Sequence, residues 1–453
     1  MDVKGKHIVV IGGARSGVAA ACLLKHKGAD VFVTDNGPIP DVSRARLERE
    51  NIGFEQGGHS DRAEKGDFAV ISPGVPSDAP LPKAWLESGR KIFSEIEVSW
   101  WFSESPLIAI TGSNGKTTTT TWVHHLWQKA GLSCRLGGNI GIAYADLADK
   151  PVPGEVIALE VSSFQLDHID RFRPRVAMIL NITPDHLNRY GNNFENYAAS
   201  KLRIYENQGP DDYLIYNFDD PVLKKHIEVL SRQERCPRLL GFSDRNEVPA
   251  GAYVRDDKII FKMNNKEDFL MNTGDIGLRG RHNLNNGLAT ALAARAFEIR
   301  NEVIRDSLMQ FEGVEHRLEQ VRIVKGVRYV NDSKATNVNA VWYALKSFNE
   351  PVVLILGGRD KGNDYSEIAG EVRSNVHTII AIGEGRQEIQ RQLGDVAPYL
   401  FTAESMEEAV AIASKKARRG EVVLLSPACA SFDMFNSYEH RGQVFKEAVR
   451  RIS

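Results

Sequence analysis

The segment Leu107-Ile108-Ala109-Ile110-Thr111-Gly112-Ser113-Asn114-Gly115-Lys116-Thr117-Thr118 constrains the fold more tightly than any other part of the chain. A short apolar run with the look of a buried strand enters a glycine turn that ends in Lys-Thr. Residues 119–129 then carry Trp122, Leu126 and Trp127 at helical spacing. A strand, a glycine turn and a helix N-terminus make a phosphate cradle, because backbone N–H groups and the helix dipole face the anion. In such a cradle Lys116 reaches the terminal phosphates and the Thr117 hydroxyl meets a magnesium ion. The loop is a shortened variant: Ile110 stands where a glycine is common, and Gly112 is the nearest glycine ahead of Gly115. A nucleoside triphosphate is the expected ligand.

Length and composition limit what can surround that loop. A chain of 453 residues suggests roughly three domains of about 150 residues. The net charge of −2 gives no broad field for nucleic acid or an anionic membrane, so phosphate binding has to come from local cations. No apolar stretch approaches the ~20 residues of a membrane span. The N-terminus runs straight into a strand pattern without the look of a signal peptide. Cys22, Cys134, Cys236 and Cys429 lie far apart, without metal-ligand or redox spacing, and read as reduced structural thiols. A cytoplasmic, multidomain protein is expected, monomeric and without nucleic-acid or membrane partners.

Short β-branched runs alternate with polar or glycine-rich loops and helical patterns, which defines an α/β fold with three domains. Residues 1–94 read as a small Rossmann-like, doubly wound sheet, with strands at 7–11, 30–34 and 68–71. Residues 95–313 read as a central P-loop ATPase-type sheet, with hairpin-like strands between about 211 and 280 suggesting an antiparallel subsheet. Residues 314–453 resume the alternation as a C-terminal Rossmann-like sheet, and Glu312-Gly313-Val314 reads as the hinge. In open parallel sheets ligands bind beyond the carboxyl ends of the strands. Asp35, Ser72, Lys116, Glu160, His186, Asp332 and Lys361 all fall just past such ends, which favours a site assembled between domains.

Among these residues, Glu160 closes an apolar strand and has the position of an acid that holds magnesium directly or through water. His186 lies in a dense polar loop with Asp185, Asn188 and Arg189, and alone would be a weak metal candidate. Lys201 falls on a helical pattern and by itself reads as solvent-exposed. Gly12-Gly13-Ala14-Arg15-Ser16-Gly17 follows the first strand but lacks the middle glycine of a dinucleotide fingerprint; Asp35 lies about 20 residues on, where that fingerprint places an acid. The pattern fits a nucleotide phosphate-and-ribose site without identifying the nucleotide.

Taken together the loops resemble the cytoplasmic amide ligases of peptidoglycan assembly. Ser72-Pro73-Gly74, Gly137-Gly138-Asn139-Ile140-Gly141, residues 160–166, Asp185-His186, residues 280–286 and His316-Arg317 appear in that family's order. Asn331-Asp332-Ser333-Lys334-Ala335-Thr336-Asn337 and Ser426-Pro427-Ala428-Cys429-Ala430-Ser431 resemble the branch that adds D-glutamate. The resemblance implies ATP, UDP-N-acetylmuramoyl-L-alanine and D-glutamate as partners, and two magnesium ions. It implies ATP contacts at Gly112, Ser113, Asn114, Gly115, Lys116, Thr117, Thr118, Asn283, Asn286, Arg317 and Asp332. Metal-supporting roles fall on Thr117, Glu160, His186 and a carbamylated Lys201, with Lys116, Glu160, His186 and Lys201 as the catalytic set. The UDP-substrate would meet Ser16, Asp35, Ser72, Gly74, Asn139 and His186. D-Glutamate would meet Thr336, Lys361, Ser431 and Tyr438, a dianion needing a cation and hydroxyl donors.

Two departures from the family pattern stand out. Tyr438 occupies a place where phenylalanine is expected, and Asn36-Gly37 follows Asp35 where an arginine is sometimes found. Two other readings stay open on the residues: a sister ligase adding L-alanine or a diamino acid, and a nicotinamide-dependent oxidoreductase, which would leave the Lys116 loop unexplained.

Overall fold

The computed structural model describes residues 1–360 and 362–452, apart from the side chain of Asn339. Among the described residues the strands form three sheets. The first contains β1 (His7–Ile11), β2 (Asp30–Asp35), β3 (Gly53–Gln56), β4 (Phe68–Ile71) and β5 (Ile92–Ser94), in the order β3-β2-β1-β4-β5. Every pairing in it is parallel. The order reverses direction between β1 and β4, the switch point at which such sheets open a crevice beyond their carboxyl ends.

The central sheet contains β6 (Leu107–Thr111), β7 (Cys134–Gly138), β8 (Val156–Glu160), β9 (Val176–Ile179), β10 (Tyr213–Asn217), β11 (Arg238–Ser243), β12 (Gly251–Arg255), β13 (Lys258–Met263) and β14 (Lys266–Asn272). Its order is β14-β13-β12-β11-β10-β9-β6-β8-β7. The antiparallel part is narrower than the sequence pattern suggests. β10 and β11 pair in parallel, because the helix Pro221–Leu230 between them supplies a crossover that a hairpin cannot. Antiparallel pairing begins only at β12. Asp256-Asp257 and Asn264-Asn265, all with positive φ, make the two tight turns; short polar side chains tolerate the left-handed region that hairpin turns require.

The third sheet contains β15 (Glu319–Val324), β16 (Val327–Asn331), β17 (Val352–Gly357), β18 (Val376–Ile382), β19 (Tyr399–Ala403) and β20 (Val422–Leu425), in the order β15-β16-β20-β17-β18-β19. Only the edge pair β15–β16 is antiparallel.

The chain packs as two compact units, Met1–Phe311 and Glu312–Ser453. The break falls two residues before the 313/314 boundary read from the sequence. No comparable break separates residues 1–94 from the central sheet, since one buried apolar cluster runs through both, from Val10 and Leu23 to Leu107, Tyr144 and Leu159. Glu97 lies just past residue 94, on the central side of that junction. It is fully buried and accepts the backbone N–H groups of Asp170, Arg171 and Phe172 at 2.7–3.0 Å, together with the Trp101 indole N–H at 2.7 Å. Cys22, Cys134 and Cys429 are buried free thiols, and Cys236 is half-buried and free. Among the described residues no helix is long and apolar enough to cross a membrane.

Candidate active site

All of β6 is buried, and it delivers the chain into the glycine loop from its place between β9 and β8 in the central sheet. The helix Lys116–Lys129 begins directly after Gly115, whose φ of 85° is open to glycine at low cost. That helix is held from below by Trp122, Leu126 and Trp127, all fully buried, with Trp122 stacked on Phe311 at 4.6 Å. Its first internal bond runs from the Thr119 N–H to the Gly115 carbonyl at 2.9 Å. The N–H groups of the turn before that have no acceptor within the helix and face the loop.

The loop uses its own amides unevenly. The Ser113 N–H donates to the Asn181 carbonyl at 3.0 Å, and the Asn114 N–H donates to Asn181 Oδ1 at 2.8 Å. The Ser113 hydroxyl donates to the Thr183 carbonyl at 2.8 Å and lies 2.9 Å from the Tyr197 hydroxyl. Ser113 and Asn114 thus tie the loop to the end of β9, leaving the Gly115–Thr118 stretch and Lys116 to face an anion. Lys116 Nζ donates to the carbonyls of Gly112 at 2.8 Å and Ser113 at 3.0 Å. Asn286 closes the other flank: a Cβ on Gly115 would come within 2.5 Å of its Oδ1. Asn283, one turn earlier on the same helix (Arg281–Ala296), donates to the Arg279 carbonyl at 2.7 Å.

Glu160 ends β8 with its carboxylate buried at 2 % exposure. Its Oε2 accepts from the Thr117 hydroxyl at 2.8 Å, and its Oε1 accepts from Asn139 Nδ2 at 3.2 Å. A hydroxyl and a carboxylate in contact form an all-oxygen donor set, the kind magnesium takes beside phosphate oxygens. The residues present therefore fit that ion.

Lys201 is the main correction to the sequence reading. It lies on the helix Phe194–Leu202 but is 2 % exposed, not solvated. Its Nζ donates to the Gly112 carbonyl at 2.9 Å, the same oxygen that accepts from Lys116. Burial pushes its pKa well below the usual lysine range, and the neighbouring Lys116 charge pushes it further; Asp185, Glu160 and Asp167 oppose the shift. Its ammonium also lies 4.8 Å from the centroid of the Tyr197 ring. His186, by contrast, is largely exposed, adopts positive φ and sits 3.7 Å from Asp185, with its ring edge against Phe164.

The first sheet presents its own loops. Asp35 Oδ2 accepts the Gly13 N–H at 2.7 Å and Oδ1 the Gly37 N–H at 2.8 Å, so this carboxylate organises the glycine turn. The Ser72 hydroxyl donates to the Gly12 carbonyl at 3.0 Å and is buried. Ser16 lies half-buried in the first turn of the helix Arg15–His26, while Gly74 and Asn139 are exposed. Arg15 and Arg189 link these loops to the central sheet. Arg15 bonds the carbonyls of Gly138, Asn139 and Gly141, and Arg189 those of Pro73 and Val75.

In the second unit Asp332 follows β16 and is buried, with Oδ2 accepting from the Ser426 hydroxyl at 2.7 Å and Oδ1 from the Leu318 N–H at 3.2 Å. Burial raises its pKa to about 7, against the opposing pull of Ser426, Arg317 and Leu318. Ser431 is buried, Thr336 is exposed, and half-buried Tyr438 opens the helix Tyr438–Arg450 with its ring edge toward His316 at 6.3 Å. Lys361 lies outside the described residues. Asp360, Asp364, Glu384, Glu388 and Arg391 are among the residues lining an open cleft of about 900 Å³. His316, Glu315 and Glu319 cluster closely enough to suggest a metal site, but the Lys446 ammonium already pairs with both glutamates at 2.7 and 2.6 Å.

Sequence reasoning missed Arg441. It is fully buried, with Nε on the Ser333 hydroxyl at 3.0 Å, Nη2 on the Ser333 carbonyl at 2.9 Å, and Nη1 on the carbonyls of Cys429 at 3.0 Å and Ala430 at 3.3 Å. One side chain thereby joins the loops after β16 and β20. A signal was available: Arg441 shares the helical stripe of Phe445, Ala448 and Val449, where an apolar residue is the norm.

A phosphate-loop α/β chain with a buried acid beside the loop's threonine has the fold and site of a nucleoside-triphosphate-using enzyme. Family models described as MurD N-terminal domain, Mur ligase middle domain, and Mur ligase, glutamate ligase domain match residues 8–81, 110–294 and 316–429. The UDP-N-acetylmuramoylalanine–D-glutamate ligase of Salinibacter ruber is 46 % identical over 456 residues, covering 100 % of this chain and 99 % of that protein. The corresponding ligase of Chloroherpeton thalassium is 44 % identical over 467 residues, covering 100 % and 99 %. Among solved structures, the MurF ligase of Thermotoga maritima in complex with ADP shares the fold, with a TM-score of 0.55 at 16 % identity over 99 % of this chain and 96 % of that one. The chain belongs to the family of UDP-N-acetylmuramoylalanine–D-glutamate ligases.

Proposed function

We propose that this protein joins D-glutamate to UDP-N-acetylmuramoyl-L-alanine at the expense of ATP, as a cytoplasmic monomer in peptidoglycan precursor synthesis. The observation that carries this reading is the end-to-end identity of 46 % with a ligase of that name, spanning every loop described above. Forming an amide in water requires the carboxylate to gain a leaving group. The γ-phosphoryl group passes from ATP to the alanyl carboxylate, releasing ADP. The amine of D-glutamate then attacks the acyl phosphate, losing a proton as phosphate departs. Catalysis of such a transfer is mainly positioning and charge neutralisation.

The residues supply those terms. The Gly115–Thr118 amides and Lys116 hold the β- and γ-phosphates, with Gly112, Ser113 and Asn114 shaping the loop. Asn283 and Asn286 flank the base, and Arg317 and Asp332 are assigned to the nucleotide. Thr117 and Glu160 would hold one magnesium ion, and His186 with Lys201 a second; the ions neutralise phosphate charge when bound. The first-sheet loops with Ser16, Asp35, Ser72, Gly74 and Asn139, together with His186, take the UDP-substrate. Thr336, Lys361, Ser431 and Tyr438 take D-glutamate.

Lys201 is read as carbamylated. Two ammonium groups sharing the Gly112 carbonyl repel each other, and burial already favours the neutral amine, which is the form that adds carbon dioxide. The carbamate replaces that repulsion with an attraction to Lys116 and to a metal ion. The reading as a whole is tested by phosphate release with ATP, UDP-N-acetylmuramoyl-L-alanine and a panel of amino acids. Turnover with D-glutamate alone is expected; equal turnover with L-alanine or a diamino acid would replace it with a sister activity.

A further inference from the structure

We infer that Arg15 is a cationic ligand for the diphosphate of the UDP-substrate, an inference that rests on the first-sheet assignment made above. The segments joining β1, β2 and β4 to the helices that follow, 12–14, 36–40 and 72–79, contain no arginine or lysine, and Arg15 is the first residue of the helix that follows β1. Two other first-sheet arginines are already engaged. Arg46 pairs with Asp146 at 2.5 Å, and Arg62 stacks on the Phe32 ring at 4.2 Å. The glycine turn cannot neutralise a diphosphate through its amides alone, because Asp35 takes the Gly13 N–H at 2.7 Å and adds a negative charge.

Arg15 also stands in the right place. It precedes Ser16, and its guanidinium reaches across to the next sheet, donating to the carbonyls of Gly141 at 2.7 Å, Asn139 at 3.2 Å and Gly138 at 3.4 Å. It therefore spans the two loops assigned to the UDP-substrate while remaining exposed. All three acceptors are neutral. Bonds from a guanidinium to phosphate oxygens are roughly twice as strong as neutral ones and can be bidentate. Exchanging a carbonyl for a phosphate oxygen is thus favourable, and the exchange needs only a rotamer change of an exposed side chain.

Binding of UDP and of uridine to the full-length protein, wild type and Arg15→Gln, separates this role from a purely structural one. The wild type is expected to bind UDP more tightly than uridine, and the substitution to narrow that difference by about tenfold or more, as loss of a charge-assisted hydrogen bond does. Uridine affinity and the KM for ATP stay the same, the KM for UDP-N-acetylmuramoyl-L-alanine rises, and Arg15→Lys recovers part of the difference. Equal losses for UDP and uridine would mean that Arg15 only latches the two loops together, and unchanged UDP binding would remove it from the site; either overturns the inference. A wild type that binds neither compound would instead refute the first-sheet assignment itself.

Discussion

Lys201 and Arg441 are both fully buried cations that donate to backbone carbonyls, one in each compact unit, yet their surroundings treat them in opposite ways. Arg441 spreads a delocalised charge over four acceptors from two loops, and although burial lowers its pKa to about 10 it stays protonated at neutral pH. Lys201 concentrates its charge on one ammonium, with the Gly112 carbonyl as its hydrogen-bond acceptor and Lys116 competing for the same oxygen. A buried charge is tolerated when its hydrogen bonds are filled and becomes a chemical liability when they are not. The first arrangement is a staple; the second is a reactive group.

The largest effect expected concerns the neighbour of that reactive group. Lys116→Ala should lower kcat for phosphate release by about a hundredfold to a thousandfold or more, the usual result of removing a key electrostatic donor, while circular dichroism stays native. Retention of a tenth of wild-type turnover would move the catalytic cradle elsewhere.

Next, Lys201→Ala should be nearly inactive, and a short-chain carboxylic acid in the assay should restore part of the rate by supplying the missing anion. A carbon-13 carbamate signal is expected from wild-type protein in labelled bicarbonate and not from the variant. Full wild-type activity in bicarbonate-free buffer would end the carbamate reading.

The comparison itself is put at risk by stability measurements in bicarbonate-free buffer. Arg441→Met leaves four buried acceptors short of a donor and should destabilise the second unit by about 3 kcal/mol, with a raised KM for D-glutamate. Lys201→Met removes a poorly satisfied buried charge and should leave the midpoint of the first unit's unfolding unchanged or higher, despite the loss of activity. If both substitutions lowered stability alike, the two cations would be the same kind of feature.

The smallest effect is a pH slope. Asp332 has a pKa of about 7 in the folded protein against 3.8 for an ordinary aspartate. Between those values the folded state holds a proton that the unfolded chain has lost. Stability of the second unit should therefore fall as pH rises from about 4 to about 7 and level off above. Asp332→Asn should abolish that slope, seen as a difference of a few degrees in Tm between pH 5 and pH 8. A slope that survives the substitution would assign it to other groups.

The chain's local order was legible wherever one strand or one turn carries the information. The Lys116 loop and the strand-end acids Asp35, Glu160 and Asp332 all depend on neighbours within a few residues, and composition with spacing was enough to find them. Elements whose meaning depends on pairing were harder. β10 and β11 resembled hairpin strands because nothing local reveals that a helix carries the chain across to a parallel register.

Function-bearing polarity divides the same way. Sequence alone determined that a phosphate cradle exists, that acids follow the strands, and that the motifs run in the order of one ligase family. Only tertiary structure decided that Lys201 is buried, that it shares the Gly112 carbonyl with Lys116, that Asn181 consumes two of the loop's amides, and that Arg441 binds two distant loops together. The physical reason is that burial and hydrogen-bond competition are properties of everything packed around a group. Gly112 and Lys201 stand 89 residues apart in the chain and 2.9 Å apart at their polar atoms. No spacing rule within a helix or strand encodes that meeting, whereas the folded sheet enforces it.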